Sequence, residues 1–289
     1  MTENPPTVDL AVQAHRLRIA HLAQSLRAIV MREILKFTRQ YGRLVSALVR
    51  PVLWLAVFAA GFRNVFGVAI VEPYDTYIPY DVYIAPGLIG MVLLFNGMQS
   101  SLAMVYDREM GVMRLLLTAP LPRPWLLFAK LAATSALSLL QAFAFVIIAA
   151  LLGTELPFLG PQLPMALLAT ASAAVMLGAL GLLLSVYIRQ LENFAGTMNF
   201  VIFPMYFLST ALYPLWKLEE SGARWVYELA RFNPFTHAVE WIRFALYGKD
   251  AGISPWVVLG CTLVFFVVAC AGYDPQRGFG GLTKRGGGG

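Results

Sequence analysis

Residues 105–125 read VYDREMGVMRLLLTAPLPRPW. Asp107, Arg108, Glu109, Arg114 and Arg123 put five charges here, and Pro120, Pro122 and Pro124 close the stretch. Before it more than twenty residues run without a charge, and after it, beyond Lys130, another run of more than twenty follows. About 20 apolar residues suffice for a helix to cross the hydrocarbon of a bilayer. The stretch therefore reads as a short polar connection between two membrane spans.

The rest of the chain follows the same pattern. Of its 289 residues, 58% are hydrophobic and 13% charged, with mean hydropathy +0.66. A soluble domain carries about 25% charge. The apolar residues come in six blocks, which predict spans at about 44–62, 84–105, 126–152, 164–188, 195–215 and 255–272. The fold class is all-α: a polytopic membrane protein with an amphipathic arm over 1–43, a six-span domain over 44–272 and a flexible tail over 273–289. The arm holds no 7–15-residue apolar core, so it does not read as a secretory signal.

Basic loops stay in the cytoplasm. With both termini inside, 15 of the 22 Lys and Arg face the cytoplasm and six face out; Arg50, early in the first span, snorkels to the inner surface. The reverse topology would translocate most of the positive charge. An inner basic bias accounts for the net charge of +6 without nucleic acid. Cys261 and Cys270, nine residues apart on one span, read as small buried hydrophobes.

No ionised side chain falls in the middle of a span. Ion-coupled carriers need such a group, so a self-powered carrier is disfavoured. The embedded polar groups are neutral: Asn96, Gln99, Ser100, Gln141 and Asn199. Asn96, Gln99 and Ser100 share a helix face at i, i+3, i+4. They serve either as hydrogen bonds between helices or, with Gln141 and Asn199, as a weakly polar substrate path. Ala174 and Gly178 are four apart and read as helix packing.

The sequence contains no GxxxxGK[ST] phosphate loop and no HExxH, CxxC or GxSxG. His237 and Glu240, three apart on a predicted helix, read as a polar face rather than a metal pair. No catalytic, cofactor-binding or metal-binding residue is expected in this chain.

Asp107 is read as the N-cap of a short helix from Arg108 to Ala119, which Pro120 ends. Met110, Met113 and Leu117 make its apolar stripe at i, i+3, i+7. Such a helix either lies flat among the lipid headgroups or enters the groove of a soluble partner. The arm carries Leu22, Leu26, Ile29, Val30, Leu35 and Phe37 opposite Arg16, Arg27, Arg32, Lys36 and Arg39, and reads as a helix on the inner membrane surface. Near the other end of the chain, Asn233 caps a helix that has Pro234 first and ends at Gly248, with Phe235, Val239, Ile242 and Leu246 as its stripe. Glu240 and Arg243 are read as an exposed pair of little weight. The long segment before the sixth span is either a set of short re-entrant helices or a loose loop. Tyr74, Tyr77, Tyr80 and Tyr83, beside the acids Glu72, Asp75 and Asp81, either anchor the lipid–water interface or stack on sugars.

The stretch DREMGVMRLLLTAPLPRPWLLFAK resembles the signature of ABC type-2 export permeases: Glu109, Gly111, Leu116, Leu117, Pro120, Arg123 and Lys130 fit its order. Val112 and Ala119 depart from it, standing where Thr, or Thr or Ser, is frequent. FNPFTHAVEWIRFALYG, residues 232–248, is similar to the family's segment before its last span. The resemblance covers nearly the whole chain and leans towards drug- and nodulation-factor-export permeases. It implies the membrane-spanning subunit of an ATP-driven exporter in a bacterial cytoplasmic (inner) membrane, moving an amphiphilic drug, lipid or lipid-linked glycan. Two copies of a separate ABC ATPase, which bind the ATP and magnesium, are the implied motor, and a second copy of this chain completes a homodimer. Asp107, Arg108, Glu109, Gly111, Arg114, Leu117 and Pro120 would couple the motor to the spans. A non-transporting membrane scaffold is the alternative function.

Overall fold

The computed structural model describes residues 7–39, 41–62, 73–74, 78–111, 122–154, 156–157, 160–188, 190–220 and 222–273. Among these the chain is predominantly helical, with turns between the helices, and forms no strand. The elements are α1 (Thr7–Thr38), α2 (Tyr41–Phe62), α3 (Tyr80–Glu109), α4 (Arg123–Leu151), α5 (Leu163–Tyr187), α6 (Leu191–Phe207), α7 (Leu215–Glu220), α8 (Arg224–Phe232), α9 (Pro234–Leu246) and α10 (Ser254–Gly272).

Helix α3 is the centre of the bundle. It packs along α5 and touches α2, α4, α6 and α9. Glycine permits the α3–α5 approach: a Cβ on Gly181 would lie 2.8 Å from the Gly97 carbonyl oxygen. Small residues let helices meet this closely where hydrophobicity alone gives them no reason to associate. The expected packing role of Ala174 and Gly178 also appears, with Ala174 fully buried and Gly178 facing Leu131 of α4.

Among the described residues four helices, α3, α4, α5 and α10, are long and apolar enough to cross a membrane. Their burial differs sharply: 78% of the most apolar window of α3 is buried, against 11% for α10. Leu259, Leu263, Val264 and Val267 of α10 are exposed, which suits hydrocarbon surroundings. The sequence predicts six spans; two of those helices fall short. In α2 the apolar run narrows to Leu48–Val57. The run expected over 195–215 gives α6, which stops at Phe207 after 17 residues, a length of about 26 Å.

The physical cause of that stop lies in another part of the chain. Asn233 donates from Nδ2 to the carbonyls of Met205 and Leu208, both at 2.7 Å. Its Oδ1 accepts from the Phe235 amide at 3.0 Å, capping α9. One side chain thus satisfies the last carbonyls of α6 and the first amides of α9, groups that every helix end leaves open. The α9 stripe, Phe235, Val239, Ile242 and Leu246, is fully buried.

Arg243 corrects the sequence reading. It is not on an exposed face; its relative exposure is 2%. Its guanidinium pairs with Glu240, donates to the Thr210 carbonyl at 2.8 Å and the Tyr83 carbonyl at 3.4 Å, and lies 4.2 Å over the Tyr83 ring. These partners come from the start of α3 and from the 208–213 turn, so Arg243 locks α9 to both. The tyrosines change role as well. Tyr80 donates to the Leu212 carbonyl at 2.6 Å and Tyr83 to the Thr210 carbonyl at 3.2 Å. Tyr80 and Tyr83 thus hold the protein's own turn, and Tyr74, buried like Tyr83, packs against the Tyr83 and Tyr247 rings rather than at the lipid boundary. Asp81 is buried too. Tyr77, Glu72 and Asp75 lie outside the described residues, as does the tail beyond Tyr273, which is itself buried.

Candidate functional site

The site is built where α3 ends. Asp107 is not the N-cap of a new helix: α3 runs through Glu109, because Tyr106 and Arg108 keep accepting backbone hydrogen bonds, from Met110 and Gly111. Gly111 then takes φ +73. This left-handed conformation ends the helix and is costly for any residue with a Cβ. The Glu109–Gly111 pair seen in the sequence is therefore the helix stop, and the connecting segment begins after it. Arg114, Leu117 and Pro120 lie outside the described residues.

The three charged residues at this root reach three directions. Asp107 Oδ2 lies 3.8 Å from Lys130 Nζ on α4 and 3.9 Å from Arg32 on α1. Arg108 donates to the Ser185 carbonyl near the end of α5 at 2.9 Å. Glu109 Oε1 accepts from the Leu191 amide, the first of α6, at 2.8 Å. Arg108, at the end of α5, and Glu109, at the start of α6, suit their places. A cation belongs at a helix C-terminus and an anion at an N-terminus, where the peptide dipoles leave partial charges of opposite sign. The root of α3 is thus fastened to α1, α4, α5 and α6.

The arm joins the same cluster. Helix α1 packs against α4 and α2. Trp125 Nε1 donates to Ser25 Oγ at 3.1 Å. Phe37 is buried, whereas Leu35, expected on the apolar face, is exposed. Glu33 faces inward beside Arg32, at 2.8 Å. Burial works against its charge, but the Arg32 guanidinium, with Lys130 and Lys36 behind it, holds the carboxyl below the usual carboxylate range. Glu33, Lys36, Asp107 and Lys130 line a cavity of about 40 Å³. That volume admits water molecules rather than a cargo.

The expected substrate-path residues divide. Asn96 donates to Ser138 Oγ at 2.7 Å and to the Thr134 carbonyl at 3.4 Å, so it bridges α3 and α4. Gln141 is buried with Oε1 unpartnered. Asn96, Gln99 and Gln141 meet on one small cavity of about 10 Å³. Asn199 sits on the exposed surface of α6, away from them. Sequence reasoning missed Arg50 as a member of this group. It lines the same cavity, with its guanidinium 4.0 Å over the Phe95 ring. The available signal was its position as the one cation inside the first apolar run. His237 and Glu240 turn to separate partners: the His237 ring faces Ser254 Oγ at 3.2 Å and the Arg231 carbonyl at 3.1 Å, and Glu240 takes Arg243.

The described residues form a helical bundle with lipid-compatible outer faces and a charged root beneath one connection. The profile of the ABC-2 type transporter family matches residues 24–247, and the chain belongs to that family. It is similar to the putative transport permease ycf38 of Porphyra purpurea, 28% identical over 238 residues, covering 82% of this chain and 79% of that one. It is also similar to the inner membrane transport permease YadH of Escherichia coli K12, 25% identical over 246 residues, covering 85% of this chain and 91% of that one.

Proposed function

We propose that this chain is the membrane-spanning permease subunit of an ATP-driven exporter, worked by a separate ABC ATPase that grips the 107–120 segment. One observation carries the reading. Asp107, Arg108 and Glu109, consecutive in sequence, bind the root of that segment to four other helices. A push on the segment cannot be absorbed at its base, because packed helices shift between discrete arrangements rather than deform continuously. The three charges are directed into the bundle, so docking falls to the residues after Gly111.

In this reading the α3 C-terminal end and both termini face the cytoplasm, and α7–α9 form the outer closure. Helices α2 and α6 complete six spans. Val45, Val49, Leu53 and Val57 are exposed at four-residue spacing along α2, and this face receives the second copy of a homodimer. Cargo passes between the copies, and Asn96, Gln99, Gln141 and Arg50 are the polar groups nearest its route. The membrane is the bacterial inner membrane, and the cargo is an amphiphile: a drug, a lipid or a lipid-linked glycan.

The test is reconstitution with a separately expressed ABC ATPase subunit. The pair should co-purify, and hydrolysis by the ATPase should change on assembly. A Gly111→Val variant should insert and fold yet lose that change. A chain that binds no ATPase is a scaffold, and vesicle transport driven by an ion gradient without ATP would make it a self-powered carrier. Either result overturns the reading.

A further inference from the structure

Arg50 carries its charge at an unexpected depth. Its guanidinium lies 4.0 Å over the Phe95 ring. Phe95 stands twelve residues before Asp107 on α3, a rise of about 18 Å. The charged root, where Asp107 meets Lys130 and Arg32, marks one membrane boundary. In a hydrocarbon layer of about 30 Å, the charge itself sits near the middle, too deep to reach the surface.

Arginine keeps its proton at any physiological pH, so it cannot escape by becoming neutral. A charge at that level is costly unless it faces a partner or a water-filled path. The chain supplies no opposite charge there. No Asp or Glu occurs in α2, in α3 between Asp81 and Asp107, in α4, in α5 or in α6 beyond Glu192. A second copy would bring another Arg50 to the interface and no carboxylate at this level.

The surroundings select what answers the charge. Arg50 is exposed, on the α2 face that it shares with the exposed Leu53 and Val57 at i+3 and i+7. Behind it Asn96, Gln99 and Gln141 line the cavity of about 10 Å³. That space has room for about one water and none for a headgroup, so a ligand meets the guanidinium from the open side. Stacking on Phe95 occupies the flat face of the guanidinium. Its N–H edges stay available to a carboxylate or phosphate, which they match two bonds at a time. The apolar stripe beside it suits a hydrocarbon tail. A cationic or uncharged headgroup would leave the charge unanswered.

We propose that Arg50 binds the anionic headgroup, a carboxylate or phosphate, of an amphiphilic cargo whose tail lies along Leu53 and Val57. That this ligand is cargo rests on the exporter function proposed above; its binding needs no motor.

Photolabelling of the full chain in phosphatidylcholine nanodiscs, without an ATPase, tests it. Three lipids with identical chains carry a diazirine beside the headgroup: phosphatidic acid, phosphatidylcholine and a trimethylammonium lipid. Mass spectrometry reads the label over residues 50–57. Phosphatidic acid should label this stretch at least threefold more than either other lipid. Arg50→Gln should remove the excess, whereas Arg27→Gln, which removes an exposed cation from the arm, should not. Excess inorganic phosphate should leave the label in place. Equal labelling by the three lipids, an excess that survives Arg50→Gln or is lost equally in Arg27→Gln, or displacement by inorganic phosphate, which marks a site for the free anion, overturns the assignment. The wild-type comparison of lipids decides the matter even if the Arg50 variant fails to fold. Co-purification with an ATPase is a separate readout, so failure of the labelling leaves the exporter function standing, and failure to bind an ATPase leaves the anion site standing.

Discussion

The bond from Glu109 to the first amide of α6 is the tie at the α3 root most open to direct measurement. Glu109→Ala removes both an acceptor and a negative charge from the N-terminus of α6. Hydrogen bonds to charged groups contribute about 1.5–3 kcal/mol, and a charge at a helix end contributes about 0.3–1 kcal/mol. Glu109 is exposed, so water replaces much of what is lost, and the net effect should be about 1 kcal/mol. At 1.36 kcal/mol per tenfold, that becomes about fivefold faster amide exchange in the first turn of α6, through local rather than global opening. Hydrogen–deuterium exchange read by mass spectrometry over 188–195 in nanodiscs resolves this, with the α10 amides as the unchanged reference. Glu109→Gln keeps an acceptor and should fall between wild type and Ala. Unchanged protection in Glu109→Ala would mean that the carboxylate does not hold α6, and the proposed rigid root would lose one of its ties.

Other outcomes follow from the same geometry. Asn233→Ala removes a cap and orphans two carbonyls, a loss of about 3 kcal/mol visible as a lowered thermal midpoint in micelles. Asn233→Asp keeps the cap but cannot donate, so it should be comparably damaging; rescue by Asp would refute the link to α6. Gly181→Val drives a side chain into the Gly97 backbone and should cost about 1–3 kcal/mol, whereas Gly196→Ala, with open space around it, should be neutral or stabilising. Burial lowers the His237 pKa below its ordinary value of 6.5, against the opposing pull of the Arg231 carbonyl and Glu240. A depressed imidazole pKa means that the unfolded chain binds the proton more readily, so stability is present above about pH 6.5 and falls as pH drops towards the folded value. Unfolding midpoints between pH 7.5 and 5 should show that fall in wild type and a flatter profile in His237→Gln.

What was legible in the sequence was local. Asn233-Pro234 announces a helix start through two adjacent residues, and the charged stretch at 107–125 announces a connection. The stop of α3 was misplaced by a few residues, since Asp107 suits an N-cap and nothing nearby shows that its partners are Lys130 and Arg32. Arg243 was misread for the same reason. Its Glu240 neighbour is three residues away, but the groups that bury it, Tyr83 and Thr210, lie 160 and 33 residues away. The fifth span was overestimated because apolar composition continues past Phe207 while the hydrogen bonds from Asn233 end the helix. Arg50 was assigned to the membrane surface on charge and is exposed, but its contact with the Phe95 ring, 4.0 Å away on α3, is a long-range one that the sequence does not announce.

Helix α3 has 30 residues, so it extends about 45 Å, some 15 Å more than the hydrocarbon layer. The same unbroken rod begins beneath Arg243 and the 208–213 turn and finishes at the charged root. Neither extremity is at liberty to tilt on its own. A thinner bilayer, which asks long helices to incline, would therefore strain both sets of fastenings at once, and lipid chain length becomes a handle on the whole machine.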